Sequence, residues 1–253
     1  MILGLGPNKK THLYLDEFIP GPINWNELHD EVCRGIAYSK WQKIFVSSGV
    51  HEAWADKEIS TYIKALETYL TPEQILVFKA FPRLEQKLKY LNALIPQPHP
   101  FWLIFLRENK MVEPTRIANK SVASDSHWTD DIQYFPKLKA LIEKMPFESF
   151  GRVIFFMTEA NNQTVPHYDA GSLEQRLTKE NDDFIWFTTK PNSKSVFVMD
   201  DTTLEKTYAE PDKKFVWWNE MDFHGTDPVP HFSFAIRIDG KFKPGLKEML
   251  YAD

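Results

Sequence analysis

The sequence predicts an α+β protein in which a largely helical first half packs on an all-β second half, and three observations carry that reading. Between Lys57 and Leu94 apolar residues (Ile59, Tyr62, Ile63, Leu66, Tyr69, Leu70) recur at three- and four-residue steps, the spacing of one helix face. After Pro146 short apolar runs alternate with Asn, Asp, Pro and Gly clusters, the pattern of an antiparallel sandwich or barrel. Nineteen Phe and eight Trp suit such a core, because flat and branched side chains pack well on a pleated surface. The 253 residues read as one domain, with 1–145 as a mainly helical scaffold and 146–253 as the β core.

In chain order, Thr11 to Phe18 alternates and reads as a first strand, ended by Pro20-Gly21-Pro22. Asn24 is placed to cap a helix running through Val32 and Ile36, with Glu27 three residues on as in a capping box. Thr71 caps a further segment that has Pro72 in its first turn, and Pro82 interrupts it. Pro96 to Pro100 is a stiff break. Phe101 to Leu106 is a buried strand or a short buried helix, which periodicity does not decide. The polar segment from Arg107 to Asp131 reads as a long loop, anchored by Trp128 and suited to a lid. Its His127, Asp130 and Asp131 raise a second metal site as the lesser alternative. Phe135 to Met145 is a helix with Leu138, Leu141 and Ile142 inward. Strands follow at 151–157, 184–189, 195–199, 214–218 and 233–238.

Composition narrows the partners. A formal charge of −5 without a basic run argues against nucleic acid. The single cysteine, Cys33, leaves no disulfide framework or cysteine-built zinc site and fits a reducing cytoplasm. The first ten residues lack the pattern of a signal peptide, and no run reaches the roughly 20 apolar residues of a membrane span. The expectation is a soluble cytoplasmic protein acting on a small molecule; a homodimer is left open.

The chemistry concentrates between Val165 and Asp239. On an extended strand His167 and Asp169 project to one side. With His224 they form a set of two imidazoles and one carboxylate, able to occupy one face of a ferrous ion and leave positions open. Alternation on the last strand puts Ser233, Ala235, Arg237 and Asp239 on one face and Phe232, Phe234, Ile236 and Ile238 on the other. The second set is a core face; the first suits a pocket wall. Arg237 then either grips the carboxylate of a bound acid or pairs with an internal carboxylate such as Asp239. His231 is the rival to His224, which is preferred because Gly225 to Pro228 sets it at a strand end.

These residues resemble the iron- and 2-oxoglutarate-dependent oxygenase superfamily, and within it the bacterial free-amino-acid hydroxylases, especially lysine hydroxylases, and the related radical halogenases. The matching text is Phe150-Gly151-Arg152-Val153, His167-Tyr168-Asp169, Phe184-Ile185-Trp186, Asp222-Phe223-His224-Gly225 and Ile236-Arg237-Ile238-Asp239-Gly240. The resemblance covers about the last hundred residues. It implies a double-stranded β-helix (a jelly roll), with Fe(II), 2-oxoglutarate and O2 as cofactor and co-substrates. His167, Asp169 and His224 would be the metal ligands and catalytic residues, and Arg237, aided by Ser233, would hold the far carboxylate of 2-oxoglutarate. Because Asp169 is present where the halogenases carry a small residue, the resemblance implies hydroxylation, with L-lysine hydroxylated at C4 as the favoured reaction. Asp239 and Glu148 are the candidates for the substrate's amines, and Trp218 for covering the pocket. The alternatives are a peptide or protein side-chain hydroxylase and a non-enzymatic β-sandwich binding module.

Overall fold

The computed structural model describes residues 2–44, 71–80, 101–109, 111–113, 116–117, 121, 126–167, 169, 177–178, 180–190, 195–200, 203 and 205–252, with the backbone alone for 42–44, 101, 109, 111–113, 116–117 and 165–167. The helices expected at 57–70 and 81–94 and the break at 96–100 lie outside these residues.

Among the described residues the strands are β1 (His12–Tyr14), β2 (Gln42–Ile44), β3 (Phe101–Asn109), β4 (Met111–Glu113), β5 (Arg116–Ile117), β6 (Ser126–Trp128) and β7 (Phe147–Thr158). They continue with β8 (Thr164–His167), β9 (Asp183–Phe187), β10 (Val196–Met199), β11 (Lys206–Tyr208), β12 (Phe215–Trp218), β13 (Phe223–Thr226) and β14 (Ser233–Phe242). The larger antiparallel sheet runs β1-β12-β9-β14-β7-β3-β2, with β6 pairing on β3. The smaller runs β11-β10-β13-β8, and β4 and β5 pair as a separate two-stranded unit. From β7 to β14 consecutive strands cross between the two sheets at every step except β10 to β11. The helices are α1 (Trp25–Tyr38), α2 (Pro72–Ala80), α3 (Pro136–Ile142) and α4 (Leu246–Ala252).

The paired strands β7 and β14 form the longest ladder, and their two faces separate the molecule's layers. Residues directly opposite in an antiparallel pair share a face. Phe234, Ile236 and Ile238 lie with Met157, Phe155 and Val153 on one face. That face meets the helices: Phe155 contacts Phe135 at 5.2 Å and Phe234 stacks on His29 of α1. The other face carries Ser233, Ala235 and Arg237 with Thr158, Phe156 and Ile154, and continues into Trp186 and Phe184 of β9. It looks toward the smaller sheet, whose His224 packs on Trp218 at 5.4 Å and whose Val196 and Val198 share the same core cluster. The alternation predicted for the last strand is therefore present from Ser233 onward, with both faces buried rather than one, while Phe232 precedes the strand and is exposed, stacked on Trp41 instead of in the core.

The helix starts follow the expected chemistry. Asn24 Oδ1 accepts from the Glu27 N–H at 3.3 Å and its amide donates to Glu27 Oε1. Thr71 and Gln74 exchange both capping bonds. Helix α3 has Pro136 at its start and no cap of its own. Glu31 of α1 supplies one across the interface: its buried carboxylate accepts from Lys137 N at 2.8 Å and Leu138 N at 2.9 Å. Gly35 of α1 is required by the same contact, since a Cβ there would lie 2.4 Å from the Phe135 ring.

Two expectations change. Residues 11–18 form a short strand and then a 3-10 turn at Asp16–Phe18, because the Asp16 carboxylate turns to accept from Lys214 N and Phe215 N. The polar segment after Leu106 is not one loop: β3 runs on to Asn109 and is met by β6, with Arg107, Glu108 and Asn109 opposite Trp128, His127 and Ser126. A strand whose outer partner is an edge strand tolerates polar residues, so apolar periodicity did not reveal it. The first half also contributes β1, β2, β3 and β6 to the large sheet, in addition to helices.

Replacing Glu31 by Ala leaves two buried N–H groups without an acceptor and is expected to cost about 1–3 kcal/mol in urea unfolding, with Glu31→Gln losing less. Burial lowers the pKa of His12 from 6.5 to about 4. The unfolded chain thus takes up this proton first, so the associated stability is complete above pH 6.5 and is lost as pH falls toward 4, by at most about 3 kcal/mol. Urea midpoints of wild type and His12→Gln measured across this window should converge toward the acid end; parallel curves would contradict the assignment.

Candidate active site

Arg237 is 3% exposed, and its guanidinium is surrounded by carboxylates from three different segments. Nε donates to Asp239 Oδ1 at 2.8 Å, Nη1 donates to Asp169 Oδ2 at 3.2 Å, and Nη2 pairs with Glu220 Oε2. Its cationic plane lies 4.0 Å from the Phe184 ring centroid. Arg152, on the same face of β7, donates from Nε to Asp239 Oδ2 at 2.8 Å. Burial by itself lowers the pKa of Arg237, but the charges of Asp239, Glu220 and Asp169 outweigh it and raise the pKa, so the guanidinium stays charged.

His224 sits beside this cluster. Its Nδ1 is 2.8 Å from the Asp222 carbonyl oxygen. A carbonyl only accepts, so Nδ1 carries a proton and Nε2 is the ring nitrogen turned toward Asp169, the orientation a metal-ligating histidine needs. That Nε2 lies 3.9 Å from Asp169 Oδ1. Bonds of about 2.1 Å meeting at a right angle at one ion would set two donors about 3 Å apart. The pair is therefore within 1 Å of shared coordination. Asp169 is positioned from both ends, because its N–H donates to the Glu220 carbonyl at 2.9 Å while Oδ2 is held by Arg237. The backbone of His167 on β8 is directly opposite His224 on β13. Among the residues whose side chains are described, no three ligating groups converge; Asp169 and His224 form the pair, and His167 occupies the adjoining backbone position.

No family model and no curated protein sequence matches the chain. Solved structures with some likeness include a prolyl-4-hydroxylase of Pseudomonas putida, at 10% identity and TM-score 0.32 over 87% of this chain and 99% of that one. Another is an oxidoreductase of the 2OG-Fe(II) oxygenase family from Burkholderia pseudomallei, at 9% identity and TM-score 0.35 over 73% and 90%. A third is a Trichoplax adhaerens prolyl hydroxylase in complex with a hypoxia inducible factor peptide, at 10% identity and TM-score 0.30 over 91% and 96%. Likenesses of this size carry no argument about activity, which rests on the residues themselves.

The sequence-derived candidates divide into those at the cluster and those away from it. Asp169, His224, Arg237 and Asp239 are together. Trp218 faces the same interior, against Phe184 at 4.7 Å and Trp186 at 5.9 Å, while Trp217 turns to the helix side and meets Phe242. Ser233 does not assist Arg237: its hydroxyl pairs with Thr158 at 2.8 Å. Four strand residues separate the two by about 13 Å, and Arg237 leans the other way, toward Asp239. Asp239 is no free acceptor for an amine, since it is fully buried and each oxygen already receives an arginine. Glu148 lies six residues along β7 from the position opposite Arg237, about 20 Å of strand; it is half-exposed and paired with Lys241. His231 is exposed and outside the cluster. His127 is exposed and pairs with Glu108 at 3.5 Å, while Trp128 is half-buried under Arg107, as an anchor rather than part of a metal site.

Sequence reasoning missed Glu220, and named Asp222 only in the stretch Asp222-Phe223-His224-Gly225 without giving its carboxylate a role. The available signal was two carboxylates inside the apolar run Phe215-Val216-Trp217-Trp218-Asn219-Glu220-Met221-Asp222-Phe223, where a charge needs a built-in partner.

Arg237→Met would leave three carboxylates without their common partner and is expected to lower stability by about 3–5 kcal/mol. Arg237→Lys should recover only part of this, because an ammonium lacks the planar fork. Urea unfolding at pH 7 measures both.

Proposed function

We propose that the protein is an iron(II)- and 2-oxoglutarate-dependent dioxygenase that hydroxylates an unactivated C–H bond of a free amino acid. The observation that carries this reading is the convergence of His224 Nε2 and Asp169 Oδ1 at 3.9 Å, with the His167 backbone directly across from His224. The crossing of successive strands between the two sheets follows the path of a jelly roll, which supports the same reading.

The donor set fits a ferrous ion. One imidazole and one carboxylate, the latter held from behind by an arginine, are hard-to-intermediate donors suited to iron rather than to soft metals. Arg237 has five N–H groups and uses three on Asp239, Asp169 and Glu220, so two remain for the far carboxylate of the keto-acid. When bound, iron would let O2 serve as the oxidant that side chains cannot supply, with one oxygen atom going into succinate as 2-oxoglutarate loses carbon dioxide and the other into the substrate's new hydroxyl group. The chain's own residues orient and exclude water. Asp222 fixes the His224 ring, Arg237 fixes the Asp169 carboxylate, and Trp218, Trp186 and Phe184 wall the interior beside them.

L-lysine with hydroxylation at C4 is proposed as substrate and outcome on the sequence resemblance. The two acidic residues that the sequence suggests for its amines, Asp239 and Glu148, are engaged elsewhere. The amine contacts therefore belong to other residues.

Anaerobic addition of Fe(II) and 2-oxoglutarate to the purified protein should produce a metal-to-ligand charge-transfer band. His224→Ala and Asp169→Ala should each abolish it. A wild-type protein with no band would end the oxygenase reading. Succinate release with free lysine but not with lysine-containing peptides would fix the substrate class, and the reverse result would move it to peptides.

A further inference from the structure

The turn between β12 and β13, Asn219-Glu220-Met221-Asp222, touches both residues that would meet the metal. Its Asp222 carbonyl accepts from His224 Nδ1 at 2.8 Å. Its Glu220 carbonyl accepts from the Asp169 N–H at 2.9 Å, and the Glu220 side chain pairs with Arg237, whose Nη1 holds Asp169 Oδ2. The Glu220 carboxylate is fully buried. A turn of four residues thus orients an imidazole from one end and a carboxylate from the other.

The turn is itself clamped from outside. Asn181 accepts from Glu220 N at 2.8 Å and donates to the Trp218 carbonyl at 3.2 Å. The Asp222 carboxylate accepts from Leu3 N at 2.6 Å and Gly4 N at 2.8 Å, and Asn219 donates to the Gly4 carbonyl at 2.9 Å. These contacts join segments more than two hundred residues apart to one turn.

We propose that Glu220 is a positioning residue of the metal site, acting through Arg237 to hold Asp169 with Oδ1 directed toward His224 and Oδ2 withheld. Its carboxylate does not touch the metal. It fixes the guanidinium that fixes the ligand, and it makes Asp169 a one-oxygen donor. Outer partners of metal ligands commonly account for about 10–100-fold in affinity. This inference rests on the proposed function, and the experiment separates the two.

Cobalt(II) serves as the probe, because its ligand-field absorption reports the donor set without turnover. Wild type, Glu220→Gln and Asn181→Ala are titrated, with the melting temperature of each metal-free protein as control. Glu220→Gln should weaken cobalt binding about 10–100-fold and shift the ligand-field bands, by freeing the second Asp169 oxygen. Asn181→Ala, which leaves the ion pair intact, should weaken binding by a few-fold. Unchanged affinity and bands in both variants would overturn the positioning role while leaving the proposed function standing. Should Glu220→Gln fail to fold, Glu220→Asp, which keeps the charge but shortens its reach to Arg237, decides in its place, and wild-type affinity and bands there would overturn the role. A wild-type protein that binds no cobalt would bring down the proposed function and this inference together.

Discussion

The interior of this protein is governed by a guanidinium that is nearly inaccessible to water yet must remain charged. Taking a cation and its counter-ions out of water costs several kcal/mol per ion, so the arrangement holds only when geometry and hydrogen bonding are complete. Arg237 meets that condition with three carboxylates from β14, the β12–β13 turn and the segment after β8, and with the Phe184 ring beneath its plane. Each of these segments is consequently tied to the others. The two sheets are joined through that polar node as well as through apolar packing.

The strand pair β7–β14 makes this possible by keeping two chemistries apart. Period-two alternation sends Phe234, Ile236 and Ile238 to the helical layer and Ser233, Ala235 and Arg237 to the space between the sheets. A one-residue slip in register would exchange the two sets and bury the arginine among Phe135 and its neighbours. The long apolar ladder therefore secures the polar site as well as the core. Helix α3 depends on a similar long-range arrangement, since its first N–H groups are satisfied by Glu31 of α1.

What the sequence disclosed followed the range of each interaction. The caps at Asn24 and Thr71 are contacts three residues long and were read directly. The last strand's alternation was equally local, and it gave the orientation of Arg237. His224 was placed at a strand end on the evidence of the turn residues that follow. In the structure β13 continues through Gly225 and Thr226, because it lies between β8 and β10 and both ladders extend past the histidine. The carboxylates of Glu31, Glu220 and Asp222 are different: their partners lie 106, 17 and 219 residues away, so an acidic residue in an apolar run signals that a partner is needed without saying which. The roles first given to Ser233, Asp239 and Glu148 went astray for a related reason. Sharing a strand face does not specify which way a long side chain leans, and Arg237 leans toward Asp239 and away from Ser233.

The polar node is poorly explained by stability alone. A buried ion cluster replaced by well-packed apolar residues of similar volume is often neutral or more stable, so a sequence shaped only for folding has no need of one. Here the cluster stands beside a histidine whose ring is oriented by a carbonyl, and one oxygen of its carboxylate lies 3.9 Å from Nε2 of that ring. A purely structural ion pair would be indifferent to the ring orientation of its neighbour. The indole nitrogen of Trp218 and Nε2 of His12, cross-strand neighbours on the interior face, are buried without a hydrogen-bond partner among the described residues. Each unsatisfied group costs about 1–3 kcal/mol. That cost falls on the wall nearest His224, while the helix-facing side of the same sheet is built from apolar rings. The asymmetry between the two faces is what a functional interior with a structural exterior layer would produce.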